Sequence, residues 1–349
     1  MFYADVQKRA LTSNHSQYRF FRKENEQIFE YFRRFPILPR TQKISFTSKW
    51  DFRKFLLHKI SYFVEPQLKV SAYLLMPKQK NKKVPGILAL HEHNDEYKAG
   101  KSEVVGLVKN PRYTKLEAVY PDPAHRTPSS KKQFAYGRDL CEKGFIVLAP
   151  DFIGFEEYRD NFGPKLNEYY EDPRFLRGYE EMLSEKYLLY GSFLMAKHIH
   201  DLYVAVSVLS SIIHVNSAKI GVIGHSLGGE MASIITSFDK RIKAGVSSCG
   251  TFSYEDFENS KRMETANTII SNFRFDNKDF DFFLDMVPPT PFLSTNGSKD
   301  MWFGSRARTL LTKKRKNFEV VYHEGGHEFP SDVRNKAYSF LQKNLTQRK

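Results

Sequence analysis

The chain has 349 residues, 41% of them hydrophobic and 15% aromatic, and a formal net charge of +14. That much apolar material can fill a core, which excludes a disordered chain, and no run approaches the ~18 apolar residues of a membrane span. Two cysteines, Cys141 and Cys249, give neither a disulfide framework nor a zinc-ligand spacing.

The first residues, MFYADVQKRALTSN, lack the long apolar region of a secretory signal, so the expected location is the cytoplasm. The basic residues are scattered over Lys78 to Lys83, Arg126 to Lys132, Lys313 to Lys316 and the pair Arg348 and Lys349. Each group falls where a loop or chain end is expected. They read as a solvated surface, and no nucleic-acid partner is expected.

Residues 1–50 read as a lead-in, with a helix near Glu24 to Arg34 ended by Pro36 and Pro39. The main domain, 51–349, opens with two strand-like runs, His58 to Val64 and Leu68 to Met76, predicted to pair antiparallel around Glu65-Pro66-Gln67. Val84 to Leu90 is a continuous apolar run suited to a buried parallel strand, and it ends in His91-Glu92-His93-Asn94-Asp95. Residues 96–130 carry no periodicity and read as an inserted loop.

A helix is predicted from Lys131 to Lys143, capped by Gly144, then a strand from Phe145 to Ala149 ending at Pro150-Asp151. Residues 152–190 form a second, aromatic-rich insertion. Leu194, His198, Leu202, Ala205, Leu209 and Ile212 step at helical spacing and predict an amphipathic helix. Strands are further predicted around Ile220 to Ile223, Ala244 to Ser248, Pro291 to Thr295 and Phe318 to Tyr322. A last helix from Ser331 should bury Val333, Ala337, Phe340, Leu341 and Leu345. Strands alternating with helices give an α/β class with a mostly parallel sheet covered on both faces.

The chemistry gathers around Lys219 to Met231, KIGVIGHSLGGEM. G-x-S-x-G between a strand and a helix is a nucleophile elbow, a tight turn that lifts the Ser226 hydroxyl clear of the sheet at the positive end of the following helix. Serine needs a base, and the base needs an acid to hold its tautomer, in the chain order Ser, acid, His. Asp300 and His327 each follow a predicted strand in that order. Asp256 or Glu255 is the rival acid, and His323 the rival base. An oxyanion hole would use the backbone N–H of Leu227 and that of His93 or Asn94.

The stretch His91 to Asp95 also reads as H-x-H-x-D, a pattern that can hold a metal. Glu96 stands where a third histidine would strengthen it, so no metal is expected. His91 and Glu92 would instead orient the oxyanion loop. Asp151 reads as a structural carboxylate, His225 as a shape residue and Cys249 as a small buried filler.

With these residues in place the chain resembles the α/β-hydrolase superfamily, and more narrowly the branch of dienelactone hydrolases, acetyl xylan esterases and peptidase-like esterases. The pieces that carry the resemblance are PGILALHEH from Pro85, GFIVLAPDFIGF from Gly144, KIGVIGHSLGG from Lys219, Pro291 to Asp300, and HEGGHEF from His323. It implies an eight-stranded sheet, a Ser226–Asp300–His327 triad, no cofactor and a pocket roofed by the two insertions. Where relatives often carry Gly-Gly after the second histidine, this chain has Asn94-Asp95. Dienelactone hydrolases use a cysteine nucleophile, so Ser226 argues against their substrate. The function expected is cleavage of a small-molecule carboxylic ester, thioester or lactone through an acyl-enzyme. A serine peptidase and a non-catalytic ligand-binding member are the alternatives.

Overall fold

The computed structural model describes residues 43–65, 68–78, 83–93, 99–107, 135–158, 178–189, 191–260, 268–270 and 273–346. The helix expected near Glu24 to Arg34 lies outside them. The strands are β1 (Ser45–Asp51), β2 (Phe55–Glu65), β3 (Leu68–Pro77), β4 (Val84–Leu90), β5 (Ile146–Pro150), β6 (Val215–His225), β7 (Ile242–Ser248), β8 (Phe292–Gly297) and β9 (Phe318–His323). They form one sheet in the order β1-β2-β3-β5-β4-β6-β7-β8-β9. β1, β2 and β3 pair antiparallel, β3 joins β5 antiparallel, and β5 through β9 run parallel to one another.

β4 shows why an apolar run becomes a central strand. Its side chains alternate between faces, so Leu88 and Leu90 join one core while Ile87 and Ala89 join the other, all fully buried. The first core is closed by α4 (Leu194–Ser211) and α5 (Leu227–Phe238), the second by α2 (Tyr136–Glu142) and α9 (Ser331–Thr346). The five α9 residues expected to face inward are all buried there. Gly144 ends the α2 turn with φ +97°, a left-handed conformation that a Cβ would strain.

Two expectations are corrected. The described residues hold nine strands rather than eight, and the extra one, β1, occupies the end of the stretch read as a lead-in to residue 50. β1 is almost wholly exposed beyond Ser45, so no buried face marks it in the sequence. Helix α4 is not amphipathic but buried nearly all round, and takes Lys197, His198 and His200 into the interior. Lys197 meets Glu65 at 2.5 Å and Asp201 at 2.7 Å there, which satisfies its charge. No helix among the described residues is long and apolar enough to cross a membrane.

Within the stretches read as insertions, the described parts are a short helix α1 (Lys101–Val104), a 3₁₀ turn at Glu156–Tyr158 and helix α3 (Gly178–Leu189). The remaining helices, α6 (Tyr254–Ser260), α7 (Asp281–Leu284) and α8 (Ser305–Thr312), follow β7 and β8.

Candidate active site

β6 passes into α5 through Ser226, whose φ of 52° and ψ of −123° lie in a region that a side chain strains to occupy. The turn holds because Ser226 N–H donates to Ser248 O of β7 at 2.8 Å. The glycines on either side are required by close approach. A Cβ on Gly224 would overlap the backbone of Gly228, and one on Gly228 would overlap Leu90 O and stand 2.6 Å from His91 O. The first turn of α5 therefore rests directly on the end of β4. That contact brings Gly228, the residue after Leu227, against the backbone of Leu90 and His91.

Two neighbouring strand ends deliver the other groups. His327 follows β9, and its Nε2 lies 2.8 Å from Ser226 Oγ. Its Nδ1 lies 2.8 Å from Asp300 Oδ2, on the loop after β8. An ionised carboxylate can only accept, so the proton sits on Nδ1, and Nε2 is left to accept from the Ser226 hydroxyl. Asp300 Oδ1 accepts the Trp302 N–H at 3.0 Å. Burial opposes charge on Asp300, but His327 and the Trp302 N–H outweigh it and hold the carboxyl below its usual range. The contact is thus complete above the ordinary carboxylate pKa and is lost only as pH falls through the lowered one.

The rival residues stand elsewhere. Asp256 Oδ1 accepts the Arg306 N–H at 3.0 Å and its Oδ2 the Ala307 N–H at 2.8 Å, so it caps α8 from a different segment. Glu255 pairs with Arg306 at 3.4 Å. His323 ends β9, and it is His327 that reaches Ser226. His225 is buried; its Nδ1 lies 3.1 Å from Ser248 Oγ, and its ring stacks on Phe329. Burial and the neighbouring His327 hold it neutral, well below its usual pKa.

The H-x-H pattern does not converge on one point. His91 Nδ1–H donates to Glu92 O at 2.7 Å, and Nε2 accepts the Phe152 N–H at 3.0 Å, so both ring nitrogens are occupied. His93 is buried, with Nε2 at 2.6 Å from Glu180 Oε2 of α3 and its ring against Phe155. Asn94 and Asp95 lie outside the described residues.

Burial lowers the His91 pKa from 6.5 to about 3. The unfolded chain therefore binds a proton at His91 between those values that the folded chain does not, so stability should fall as pH drops from about 6.5 towards 3. Protonation would also turn Nε2 into a donor facing the Phe152 N–H. Urea unfolding at a series of pH values reads the slope, and His91→Gln should flatten it.

Sequence reasoning missed the groups that brace the strand-end loops. Lys101 is fully buried, its Nζ at 2.5 Å from both Asp151 Oδ2 and Glu156 Oε2 and in contact with Glu157. Burial opposes that charge, but Asp151 and Glu156 overcome it and hold the ammonium protonated, above its usual range. Asp151 Oδ1 also accepts the Lys101 N–H, so the carboxylate after β5 fixes α1, as expected of a structural residue. Nothing in the spacing of a stretch without periodicity marks Lys101 or Glu180. Lys101→Ala would leave Asp151 and Glu156 without their cation. The expected loss is about 3–5 kcal/mol of unfolding free energy, measured by chemical denaturation.

Known proteins place this geometry in context. The chain is 25% identical over 300 residues to YtaP of Bacillus subtilis (strain 168), a protein provisionally named a hydrolase; the match covers 79% of this chain and 84% of that one. Among solved structures, a protein from Bacteroides fragilis NCTC 9343, provisionally named an acetyl xylan esterase, superposes with a TM-score of 0.61. That alignment is 18% identical and covers 90% of this chain and 80% of that one. A glucuronoyl esterase from Solibacter usitatus gives 0.59 at 12% identity over 92% of each chain. The fold these share is the α/β-hydrolase fold. The family model described as serine hydrolase (FSH1) matches residues 81–338, a span that takes in β4, the Ser226 turn, Asp300 and His327, and the chain belongs to that family.

Proposed function

We propose that the protein hydrolyses a carboxylic ester through an acyl-enzyme on Ser226. The observation that carries this reading is the unbroken hydrogen-bond chain from Ser226 through His327 to Asp300 at the carboxyl edge of the sheet. As Ser226 Oγ attacks the substrate carbonyl, His327 Nε2 takes its proton, and the imidazolium formed is stabilised by Asp300. The N–H groups of Leu227 and of His93 or Asn94 would receive the oxyanion. His327 then protonates the leaving alcohol, activates a water against the acyl-enzyme and returns the proton to Ser226.

The names of the structural neighbours, acetyl xylan and glucuronoyl esterases, favour a small oxygen ester as substrate. Among the described residues of the second insertion, Phe152 and Phe155 are buried with their rings against His91, so they pack on the loop that follows β4. A panel of p-nitrophenyl esters from acetyl to decanoyl, set beside peptidyl p-nitroanilides, tests the reading. Turnover of short esters with little amide cleavage is expected. Preferential anilide cleavage would make the protein a peptidase. Hydrolysis of neither, together with no fluorophosphonate adduct on the Ser226 peptide, would favour a ligand-binding role.

A further inference from the structure

We propose that Cys249, Asp300 and His327 form an inhibitory binding site for a thiophilic divalent cation of the zinc and cadmium class. The three residues end or follow β7, β8 and β9, three neighbouring strands. Their donor atoms, a thiol sulfur, a carboxylate oxygen and a ring nitrogen, all lie within 4.8 Å of one another. Tetrahedral zinc takes sulfur at about 2.3 Å and nitrogen or oxygen at about 2.0–2.2 Å, which puts the ligand atoms about 3.3–3.8 Å apart. Closing the set around an ion needs shifts of about 1 Å, within reach of side-chain rotation.

The donor chemistry points to zinc rather than to a hard cation. A mixed sulfur, nitrogen and oxygen set suits zinc, whereas calcium and magnesium prefer oxygen alone. The other acidic cluster among the described residues, Asp151, Glu156 and Glu157, already surrounds the Lys101 ammonium. In the Cys249 cluster, by contrast, the basic partner of Asp300 among the described residues is His327. There the thiol donates to Glu328 O at 3.4 Å, and the Cys249 N–H donates to Thr295 O at 2.7 Å, which anchors the backbone that carries the sulfur.

Charge favours binding as well. With a neutral thiol, a neutral imidazole and an ionised Asp300, the cluster carries one negative charge. Binding would release the thiol proton, so the dication would face a thiolate and a carboxylate and the site would become neutral. His327 would bind through Nδ1, so the proton there would leave and Nε2 would take one up. One proton in total goes to solvent. Nε2–H would then point at Ser226 Oγ and could no longer accept its proton. The inhibition rests on the ester-hydrolase reading above, whereas the binding does not.

The test uses the full chain in chelator-buffered zinc, with p-nitrophenyl acetate as substrate. Wild type should be inhibited and should recover on adding EDTA, and inhibition should strengthen about tenfold per pH unit because one proton is displaced. Cys249→Ser and Cys249→Ala should shift half-inhibition to higher zinc by more than about 100-fold, since loss of an outer-sphere partner alone costs 10–100-fold. Cobalt(II) added to Ser226→Ala should give thiolate-to-metal absorption in the near ultraviolet, and the band should vanish when Cys249 is also replaced. Equal zinc sensitivity of wild type and both Cys249 variants would overturn the site, and so would the absence of the cobalt band. If no ester is turned over at all, the cobalt band still reports the site by itself, so the two readings fail separately.

Discussion

Ser226→Ala is expected to lower kcat for p-nitrophenyl acetate by about 10⁶-fold, to the level set by binding and the oxyanion donors alone. The size follows from what is removed. Every role of His327 Nε2, at 2.8 Å, in the proposed mechanism depends on the Ser226 proton or on the acyl group Ser226 carries, so the base is lost together with the nucleophile. The fold should tolerate the change. The Ser226 backbone is held by its N–H to Ser248 O and by the tight glycines around it, none of which involve the hydroxyl. Stopped assays at high enzyme concentration, with a mass-spectrometric check for a fluorophosphonate adduct on wild type only, measure it. A variant that keeps more than a hundredth of the wild-type rate would remove Ser226 from the chemistry.

Asp300→Asn should lower kcat by about 10⁴-fold while leaving KM nearly unchanged. The carboxylate accepts from Nδ1 and fixes the tautomer in which Nε2 accepts from the Ser226 hydroxyl. An amide in its place can donate to Nδ1 instead, which puts the proton on Nε2, where it blocks Ser226. It also withdraws the charge that would stabilise the imidazolium. The Trp302 N–H contact survives, because the Asn oxygen can still accept it. Steady-state kinetics across pH, beside an unfolding curve to show the variant is folded, separate a lost tautomer from a lost fold. A kcat near wild type would take the acid role away from Asp300. Asp256 could not inherit it in its present position, since both its oxygens serve the N-terminus of α8.

What the sequence made legible is what burial writes into it. Val84 to Leu90 matches β4 residue for residue because both faces of that strand are covered from Gly86 onward, where every side chain had to be small or apolar. Ser226 could be placed because two glycines must flank a turn this tight. β1 left no trace of this kind, because its side chains face solvent. Asp300 and Asp256 each follow a strand and could not be told apart by order alone. The distinction lies in which N–H groups and which ring nitrogen each one meets, and that is set by packing. Lys101, Glu180 and the interior charge on α4 were illegible for the same reason. Apart from Asp201, one turn on from Lys197, their partners lie far away along the chain, as Glu180 does from His93 at 87 positions and Glu65 from Lys197 at 132.

The left-handed backbone of Ser226 carries a consequence for how this protein ages and adapts. A residue held in that region costs the fold on the order of 1–3 kcal/mol, which glycine would avoid at an entropic cost of about 0.5–1 kcal/mol. Ser226→Gly should therefore yield a protein that outlasts its parent on heating while doing no chemistry. Selection for durability alone would favour glycine here, so under the proposed mechanism the hydroxyl is a case of turnover set against robustness.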